Sequence, residues 1–447
     1  MKKILMIEHY AGSPEMGMEF RPYYMAREWV KMGYNVHIVA ADFSHLRTKN
    51  PVIRGDLQKE VIDGIKYHWI HTGTYSGNGA ARALTMGQFA GKLWLYAKRI
   101  ARRFKPDIII ASSTYPLDTY AGQRLRRFSP GSRLIHEVHD MWPATLIEMG
   151  GMSKWHPFCV AMQIGENSAY RNSDEVVSLL PLAEEYMQQH GLKPGHFTYI
   201  PNGIVPEEWE TPEPLPPEHE ELLNRLKRRR RFIVGYFGGH ALSNSLDNLL
   251  ETAALSAKRK GRASYVLVGD GVEKEKLRKK AEEMGLKEVY FLPKIRKQQV
   301  PSLTKRFSCT YVGARDSTLY RFGLCMNKIF DSMMAGKPIL CAITTPDDLI
   351  PKNNCGIMVP SDSPDKADEV IAAWEKIPAR ELKKFGENGH RAAIEKYTYE
   401  KLAKQFAELF KGEKNEGRTV KKDRRPDSCC RCGGPRVCRT SPCCGKG

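Results

Sequence analysis

Short runs of apolar residues alternate with longer amphipathic segments along most of this chain. In the first half, the predicted buried strands are residues 3–7, 36–40, 107–111, 134–138, 175–179 and 199–200. Segments with the apolar spacing of a helix lie between them, at 20–32, 82–104, 117–128 and 158–171. Nearly continuous apolar strands that alternate with helices are typical of a parallel sheet covered on both faces. The pattern predicts one α/β domain over residues 1–203.

The alternation stops once and then begins again. Residues 204–231 contain five prolines and end in RLKRRRR, which predicts a linker or hinge. Predicted strands then follow at 232–237, 265–268, 289–292, 309–312 and 338–342. The accompanying helices are predicted at 245–260, 272–284, 298–306, 327–335, 364–376 and 379–396, and a last helix at 398–411 is expected to return toward the first domain. The predicted fold class is α/β, with a second Rossmann-like domain over 232–397 and a central cleft between two doubly wound domains.

Positive charge is concentrated in three segments of a chain whose formal net charge is +19. Residues 92–105 and 225–231 each hold six Lys or Arg and no acid. Residues 412–447 hold ten bases, four acids and six of the 11 cysteines, and they lack apolar periodicity, so they are predicted to be a disordered tail. Metal binding by this tail is disfavoured because its cysteine spacing does not match a zinc ribbon. A local excess of charge predicts an anionic partner, such as lipid head groups, phosphates or nucleic acid.

Targeting signals are not evident in the sequence. No apolar run approaches the roughly 20 residues that span a bilayer, and the first apolar run is too short for a signal peptide. The expected location is therefore the cytoplasm.

Glycine-containing turns follow the first predicted strand of each domain. Residues 8–17 include Gly12 and Gly17 and lead into a helix, whose free N–H groups favour an anion or a sugar hydroxyl. Gly238 and Gly239 would let a ligand approach the backbone closely. An ordinary turn remains the alternative at both places. The first loop is not a GxGxxG motif, and this disfavours an NAD-dependent Rossmann enzyme.

Asn327, Lys328 and Asp331 lie within one turn of a predicted helix. A lysine can neutralise a diphosphate, and an aspartate can accept hydrogen bonds from ribose hydroxyls. The alternative is a solvated Lys–Asp pair near a helix start.

Several of these motifs together resemble the family 4 retaining glycosyltransferases of the GT-B fold. They are IPNG at 200–203, the glycine pair at 238–239, VGDG at 268–271, FLP at 291–293 and NKIFDSMMAGKPIL at 327–340. Residues 8–47 resemble the bacterial branch that assembles O-antigen and capsule and includes N-acetyl-L-fucosaminyl transferases. The resemblance covers residues 1–411 and leaves out the tail.

The resemblance implies a donor site in which Asp331 contacts ribose, as the second acid of the family's E-x7-E motif. Gly323 stands where the first acid is usual, and the Asn327–Lys328 pair is therefore assigned to the diphosphate or the sugar. The usual Arg/Lys pair is absent from the phosphate loop, so Lys328 is expected to carry more of the charge compensation. The implied donor residues are Gly12, Gly17, Gly238, Gly239, His240, Asn244, Pro293, Lys294, Gly323, Asn327, Lys328 and Asp331.

The segment HEVHDMWP at 136–143 ends a strand of the first domain. The related branch usually reads Glu-x-Arg-Asp-x-Trp-Pro, with His139 here in place of the arginine. A polar quartet at this strand end, made of His136, Glu137, His139 and Asp140, is expected to face the cleft and to orient the acceptor hydroxyl and the leaving diphosphate. Asp140 and His139 are the catalytic candidates, and a structural role is the alternative for the histidines. No DxD motif is present, so neither a metal ion nor a cofactor is expected.

The helix predicted at 82–104 has an apolar stripe flanked by bases. Core packing with a solvated basic face is one interpretation, and docking to anionic lipid is the other. The candidate acceptor or membrane contacts are Glu19, Arg21, Arg82, Met86, Phe89, Lys92, Arg99, Arg102 and Arg103.

The resemblance implies a retaining transferase that moves an N-acetyl amino sugar from a UDP-sugar to a polyprenyl-diphosphate-linked saccharide. Such an enzyme would act at the inner face of the plasma membrane. A UDP-N-acetylglucosamine 2-epimerase of the same fold is one alternative. A basic nucleic-acid-binding protein is another, although no RNP, zinc-finger or helix-turn-helix signature accompanies the charge.

Overall fold

The computed structural model describes residues 1–17, 20–77 and 79–412. The strands of the first lobe are β1 (Lys3–Ile7), β2 (Asn35–Ala41), β3 (Gln58–Ile62), β4 (Ile65–Ile70), β5 (Ile108–Ala111), β6 (Arg133–Val138), β7 (Glu175–Ser178) and β8 (Phe197–Tyr199). They form one sheet in the order β3-β4-β2-β1-β5-β6-β7-β8. Strand β3 runs antiparallel to β4, and the other pairs are parallel.

Helices cover both faces of this first sheet. They are α1 (Phe20–Lys31), α2 (Ala80–Phe104), α3 (Thr119–Phe128), α4 (Ala144–Glu148), α5 (Pro157–Asn172) and α6 (Glu184–Gln189). Successive residues of β1 point to opposite faces: Ile4 packs in the core with Trp29 of α1, and Leu5 packs in the core with Phe89 of α2. Burial on both sides is the reason why these strands read as continuous apolar runs.

The second lobe contains a sheet whose strands are all parallel. Its strands are β9 (Phe232–Phe237), β10 (Ala263–Val268), β11 (Val289–Leu292), β12 (Cys309–Gly313), β13 (Ile339–Ala342) and β14 (Gly356–Val359). Their order is β11-β10-β9-β12-β13-β14. The remaining helices are α7 (Glu207–Glu210), α8 (Pro217–Arg228), α9 (Leu246–Lys258), α10 (Lys274–Glu283), α11 (Val300–Thr304), α12 (Asn327–Met334), α13 (Leu349–Lys352), α14 (Pro364–Trp374), α15 (Ala379–Lys396) and α16 (Tyr399–Glu408). Two doubly wound sheets are present, and the predicted fold class is confirmed.

The segment predicted as a linker is partly built into the second lobe. Helix α8 buries Leu223 and Leu226 in a core shared with β9 and β10. Beyond its end, Arg229 and Arg231 lie 2.7 and 3.5 Å from the carboxylate of Glu288. The prolines before α8 do not interrupt it, because proline is tolerated at the first position of a helix. Two bases of the run therefore have a partner within the fold.

The last described helix lies against the first lobe. The indole of Trp29 on α1 donates a hydrogen bond to the carbonyl of Ala403 on α16, at 3.1 Å. The rings of Tyr24 and Tyr399 stack with centroids 4.9 Å apart. Over the described ranges, each helix is too short or too polar to cross a bilayer. The predicted tail lies outside the described residues, apart from residue 412.

Candidate active site

Lys328 forms a cationic centre at the carboxyl edge of the second sheet. It is the second residue of α12, and its Nζ donates hydrogen bonds to the hydroxyl of Tyr236 at 2.9 Å and to Oδ1 of Asn244 at 2.7 Å. Both partners are neutral, and the described residues offer Lys328 no carboxylate within ion-pair distance. Burial lowers the pKa of Lys328 to about 8, so the amine is still mostly protonated at pH 7. The result is a positive charge that no carboxylate in the described part of the chain neutralises.

The glycine turn after β9 is shaped around this lysine. Gly238 has a φ of +131°, and a Cβ at this position would lie 2.6 Å from Cε of Lys328. No atom of the residues described here lies within 4 Å of a Cβ placed on Gly239, so its side of the turn is open. The Gly239 carbonyl accepts a hydrogen bond from Nδ2 of Asn244 at 3.0 Å. The turn therefore leaves room beside an uncompensated ammonium group.

Asp331 lies one helical turn after Lys328. No hydrogen-bond partner for its carboxylate is found in the described part of the chain. Burial raises the pKa of Asp331 to about 6, although nearby Lys297 favours the charged form. Asn327 is exposed at the first position of the same helix. A carboxylate without a partner can accept hydrogen bonds from ligand hydroxyls.

The structure places His240 differently from the sequence prediction. The side chain is fully buried, and within the described ranges neither ring nitrogen has a hydrogen-bond partner. Hydrogen bonds of the His240 backbone to Asp270 and Glu273 turn the ring inward, toward Phe291. Burial lowers the pKa of His240 to about 4, so the ring is neutral. His240 supports the turn and does not face a donor.

Pro293 and Lys294 are exposed where β11 ends, two strands from β9. The Pro293 carbonyl accepts a hydrogen bond from the buried His219 at 3.0 Å. Gly12 and Gly17 shape the loop after β1: the Gly12 carbonyl accepts from the Tyr67 hydroxyl at 2.7 Å, and Gly17 has a φ of +80°. No described contact joins these four residues to Lys328.

A buried ionic network lies at the carboxyl edge of the first sheet. Arg21 donates to Oε1 of Glu137 at 2.8 Å and to the backbone carbonyls of Ile200 and Pro201. Burial alone would raise the pKa of Glu137, but Arg21 and His139 hold it well below its usual range. The prediction that Arg21 contacts the acceptor is wrong, because its guanidinium is buried and used inside the lobe.

His139 connects this network to the space between the lobes. Its Nε2 lies 3.1 Å from Oε2 of Glu137 and 2.9 Å from Oγ of Ser112. Because the Ser112 hydroxyl donates to Glu137, the network assigns a proton to Nε2 of His139. In the described structure, Nδ1 of His139 has no protein partner.

A cavity of about 250 Å³ separates the two lobes at this point. His139, Asp140 and Thr145 line it from the first lobe, and residues 319–320 and 322–326 close it from the second. Asn202, part of the IPNG segment, donates to the carbonyl of Cys325 at 3.0 Å and holds the loop that precedes α12. The cavity therefore connects the His139 network with the start of the lysine-bearing helix.

Asp140 lines the cavity, and its carboxylate already accepts three hydrogen bonds from the protein. It accepts hydrogen bonds from the Met141 amide at 2.8 Å, the Thr145 hydroxyl at 2.6 Å and the Trp142 indole at 3.0 Å. These bonds hold the turn between β6 and α4. The geometry therefore gives Asp140 a positioning role beside His139.

Gly323 also lines this cavity, and close contact explains why it is a glycine. Its φ is +104°, and a Cβ would lie 2.5 Å from Cδ of Pro181 in the other lobe. A side chain as large as glutamate has no room at this contact.

Of the residues on α2 that were predicted to contact acceptor or membrane, some are buried and others are exposed. Met86 and Phe89 are 1% and 0% exposed, so the prediction that they contact acceptor or membrane is wrong: they pack in the core. Arg82 donates to the Tyr10 hydroxyl at 3.2 Å, and Lys92 pairs with Asp56 at 3.0 Å. The exposed candidates are Arg99, Arg102 and Arg103. Glu19 lies outside the described residues.

The sequence prediction missed two residues of the candidate site, Tyr236 and Ser112. Each lies at the carboxyl end of a predicted strand, where ligands bind in such sheets. This position at a strand end could have identified Tyr236 and Ser112 from the sequence. The role of Glu137 depends on Arg21, which is 116 residues away in the sequence.

Two family descriptions match the chain, one in each half. They are the Glycosyl transferase 4-like domain over residues 16–203 and Glycosyl transferases group 1 over residues 220–392. The chain is 23% identical to the probable glycosyltransferase WbjE of Pseudomonas aeruginosa, over 56% of this chain and 61% of that protein. It is 25% identical to the putative colanic acid biosynthesis glycosyl transferase WcaI of Escherichia coli strain K12, over 53% and 59%. The chain thus spans about three fifths of the length of these relatives.

The structure is also similar to a solved structure with bound ligands. Anabaena Alr3699/HepE in complex with UDP and glucose superposes with a TM-score of 0.63 and 15% identity, over 92% of this chain and 100% of that one. At such an identity the likeness establishes the fold alone. The family matches thus assign residues 16–203 and 220–392 to two glycosyltransferase domain families, and the structural likeness gives the chain the GT-B fold.

Proposed function

We propose that this protein is a retaining glycosyltransferase that uses a UDP-sugar as donor. The observation that carries the proposal is the Lys328 ammonium group, which has two neutral partners and lies beside an open glycine turn. An unneutralised cation of this kind at the start of a helix favours a phosphate group. HepE, which has the same fold, was crystallised with UDP and glucose, and this supports a uridine nucleotide.

Each part of the site has a task in this reaction. Lys328 stabilises the negative charge that grows on the diphosphate as the bond from the sugar to the phosphate breaks. Asp331 accepts hydrogen bonds from the ribose. The leaving diphosphate takes the proton of the acceptor hydroxyl, so that a strong protein base is not needed. Positioning and charge stabilisation then account for most of the rate.

His139 is proposed to hold the transferred sugar. Its Nδ1 can form a hydrogen bond with a sugar hydroxyl, while Glu137 and Ser112 hold the ring by Nε2. Asp140 keeps the strand-end turn in place through its three hydrogen bonds. Gly238, Gly239 and Asn244 border the diphosphate.

The proposed acceptor is a saccharide linked to polyprenyl diphosphate, and the transferred sugar is an N-acetyl amino sugar. Support comes from the resemblance of residues 8–47 to the O-antigen and capsule branch and from the name of WcaI, which refers to colanic acid biosynthesis. The proposed place of action is the inner face of the plasma membrane. We further propose that neither a metal ion nor a cofactor takes part.

The test is to incubate the protein with a panel of UDP- and GDP-sugars, with and without polyprenyl-diphosphate-N-acetylglucosamine. We expect release of UDP that depends on the acceptor, and a product whose anomeric configuration matches that of the donor. Equal turnover without acceptor would contradict the proposal and favour a UDP-N-acetylglucosamine 2-epimerase or a hydrolase. Inversion in the product would contradict the retaining mechanism.

A further inference from the structure

Helices α2 and α3 form an outer surface of the first lobe that carries positive charge only. Neither helix contains an Asp or Glu, and together they contain nine Lys or Arg. Arg82, Lys92 and Arg126 have partners within the fold. The other six have no carboxylate within ion-pair distance among the described residues: Lys98, Arg99, Arg102, Arg103, Arg124 and Arg127. As far as the structure describes the chain, these six bases are therefore not neutralised by ion pairs.

Aromatic side chains are exposed between these bases. Trp94, Tyr120 and Phe128 are 45%, 36% and 37% exposed, and they line a groove of about 380 Å³. The guanidinium carbon of Arg124 lies 3.4 Å from the centroid of a Trp94 ring, and Nε of Arg124 is buried without a hydrogen-bond partner. Aromatic rings beside bases are typical of surfaces that sit at the boundary between lipid and water.

Exposed aliphatic side chains extend the same surface. Leu95 on α2 is 66% exposed, and Ile164 on the neighbouring α5 is 58% exposed. Gln123 of α3 and Ser168 of α5 are hydrogen-bonded at 3.0 Å, so these helices are in direct contact. Nucleic acid would use the aromatic rings for stacking but would gain nothing from the aliphatic groups. A bilayer interface accommodates aromatic and aliphatic side chains alike. The exposed aliphatic groups therefore favour a bilayer over nucleic acid as the partner of this surface.

We propose that this surface, called here the α2–α3 face, docks on a bilayer that contains anionic phospholipid. Trp94, Phe128 and Leu95 enter the head-group region, and the six bases meet lipid phosphates. The proposal rests on the proposed function to the extent that a lipid-linked acceptor requires such docking. It keeps the sequence expectation that this helix docks on anionic lipid and excludes Met86 and Phe89 from the contact, because their stripe faces the core and the opposite side of the helix carries Trp94, Leu95 and Arg99.

The test measures co-sedimentation of the full chain with vesicles of phosphatidylcholine containing phosphatidylglycerol, and with vesicles of phosphatidylcholine alone. We expect strong binding to the anionic vesicles, weaker binding to the neutral ones, and loss of binding at high salt. Each base near the surface contributes about fivefold in affinity. The variant Lys98→Glu/Arg127→Glu should therefore bind at least about 25-fold more weakly, and Trp94→Ala should bind more weakly as well.

A matched control is Arg380→Glu/Lys384→Glu, which changes the net charge equally at two exposed positions of the second lobe. It should bind the vesicles nearly as well as the unchanged protein. An equal loss of vesicle binding in both double variants would overturn the proposal. Failure of the unchanged protein to bind anionic vesicles would also overturn it. Binding of single-stranded RNA that the α2–α3 variant alone loses, without vesicle binding, would reassign the face to nucleic acid. Melting temperatures check that each variant folds.

Turnover of a water-soluble acceptor separates this proposal from the proposed function. The α2–α3 variant should keep UDP release with an acceptor on a short soluble chain and lose it with an acceptor embedded in anionic vesicles. Turnover without vesicle binding would overturn the docking proposal alone. Vesicle binding without any turnover would contradict the transferase function and leave the docking proposal in place.

Discussion

Replacement of Lys328 by methionine should weaken UDP binding and lower kcat/KM at least tenfold. Methionine keeps an unbranched side chain in the space beside Gly238 and removes only the charge and the two hydrogen bonds of Nζ. Tyr236 and Asn244 stay in place but carry no charge that could neutralise a diphosphate. The variant therefore isolates the contribution of the ammonium group.

The expected size of the fall in kcat/KM follows from the surroundings of the Lys328 Nζ. A unit charge about 4 Å from a phosphate oxygen interacts with it by about 4 kcal/mol at an effective dielectric constant of about 20. Part of this attraction is already present with the bound donor, and the part that grows as charge develops on the diphosphate lowers the barrier. A tenfold fall in kcat/KM corresponds to about 1.4 kcal/mol, well within this interaction.

The assays are calorimetric titration with UDP and steady-state release of UDP in the presence of acceptor. Lys337→Met is the matched control, because Lys337 lies in the same lobe at the amino end of β13 and donates to the carbonyl of Lys305 at 3.0 Å. It should leave both UDP affinity and kcat/KM unchanged. Since burial disfavours the charged form of Lys328, its replacement should not lower the melting temperature.

Unchanged UDP affinity and kcat/KM in a well-folded Lys328→Met variant would refute this reasoning. Lys328 would then be a buried structural lysine, and the diphosphate would have to bind elsewhere. Equal losses in the Lys337 control would also contradict it, because they would show a general effect of removing a lysine from this lobe.

Four further predictions concern pH, packing and metals. The pKa of Lys328 is about 8 in the free protein and should rise against a diphosphate, so UDP affinity should fall above pH 8; a flat profile in calorimetry, or an unchanged slope in Lys328→Arg, would contradict this. Gly323→Ala should lower the melting temperature and raise KM, since its Cβ would lie 2.5 Å from Pro181. Burial lowers the pKa of His37 to about 4 and that of His68 to about 3. The folded protein should therefore lose stability as the pH falls from about 6.5 toward 4. Over this range the melting temperature of His68→Gln should fall less steeply than that of the unchanged protein. EDTA should leave turnover unchanged, because the proposed mechanism uses no metal ion; loss of activity restored by a divalent cation would contradict this.

The sequence by itself determined the elements of the fold and much of the second-lobe site. Apolar runs, helical spacing and strand-end glycines are local features, and they located β9, the Gly238 turn and α12 close to their observed bounds. Lys328 and Asp331 could be selected because helical geometry places them one turn apart.

Only the tertiary structure decided which side chains face the site. Arg21 could not be recognised as buried until Glu137 was placed against it, and Gly323 could not be explained without Pro181 of the other lobe. The buried side of α2 and the attachment of α8 to the second lobe were equally undetermined, since an amphipathic pattern does not say which surface will cover it. These outcomes depend on contacts between residues far apart in the chain, and such contacts form only when the lobes pack.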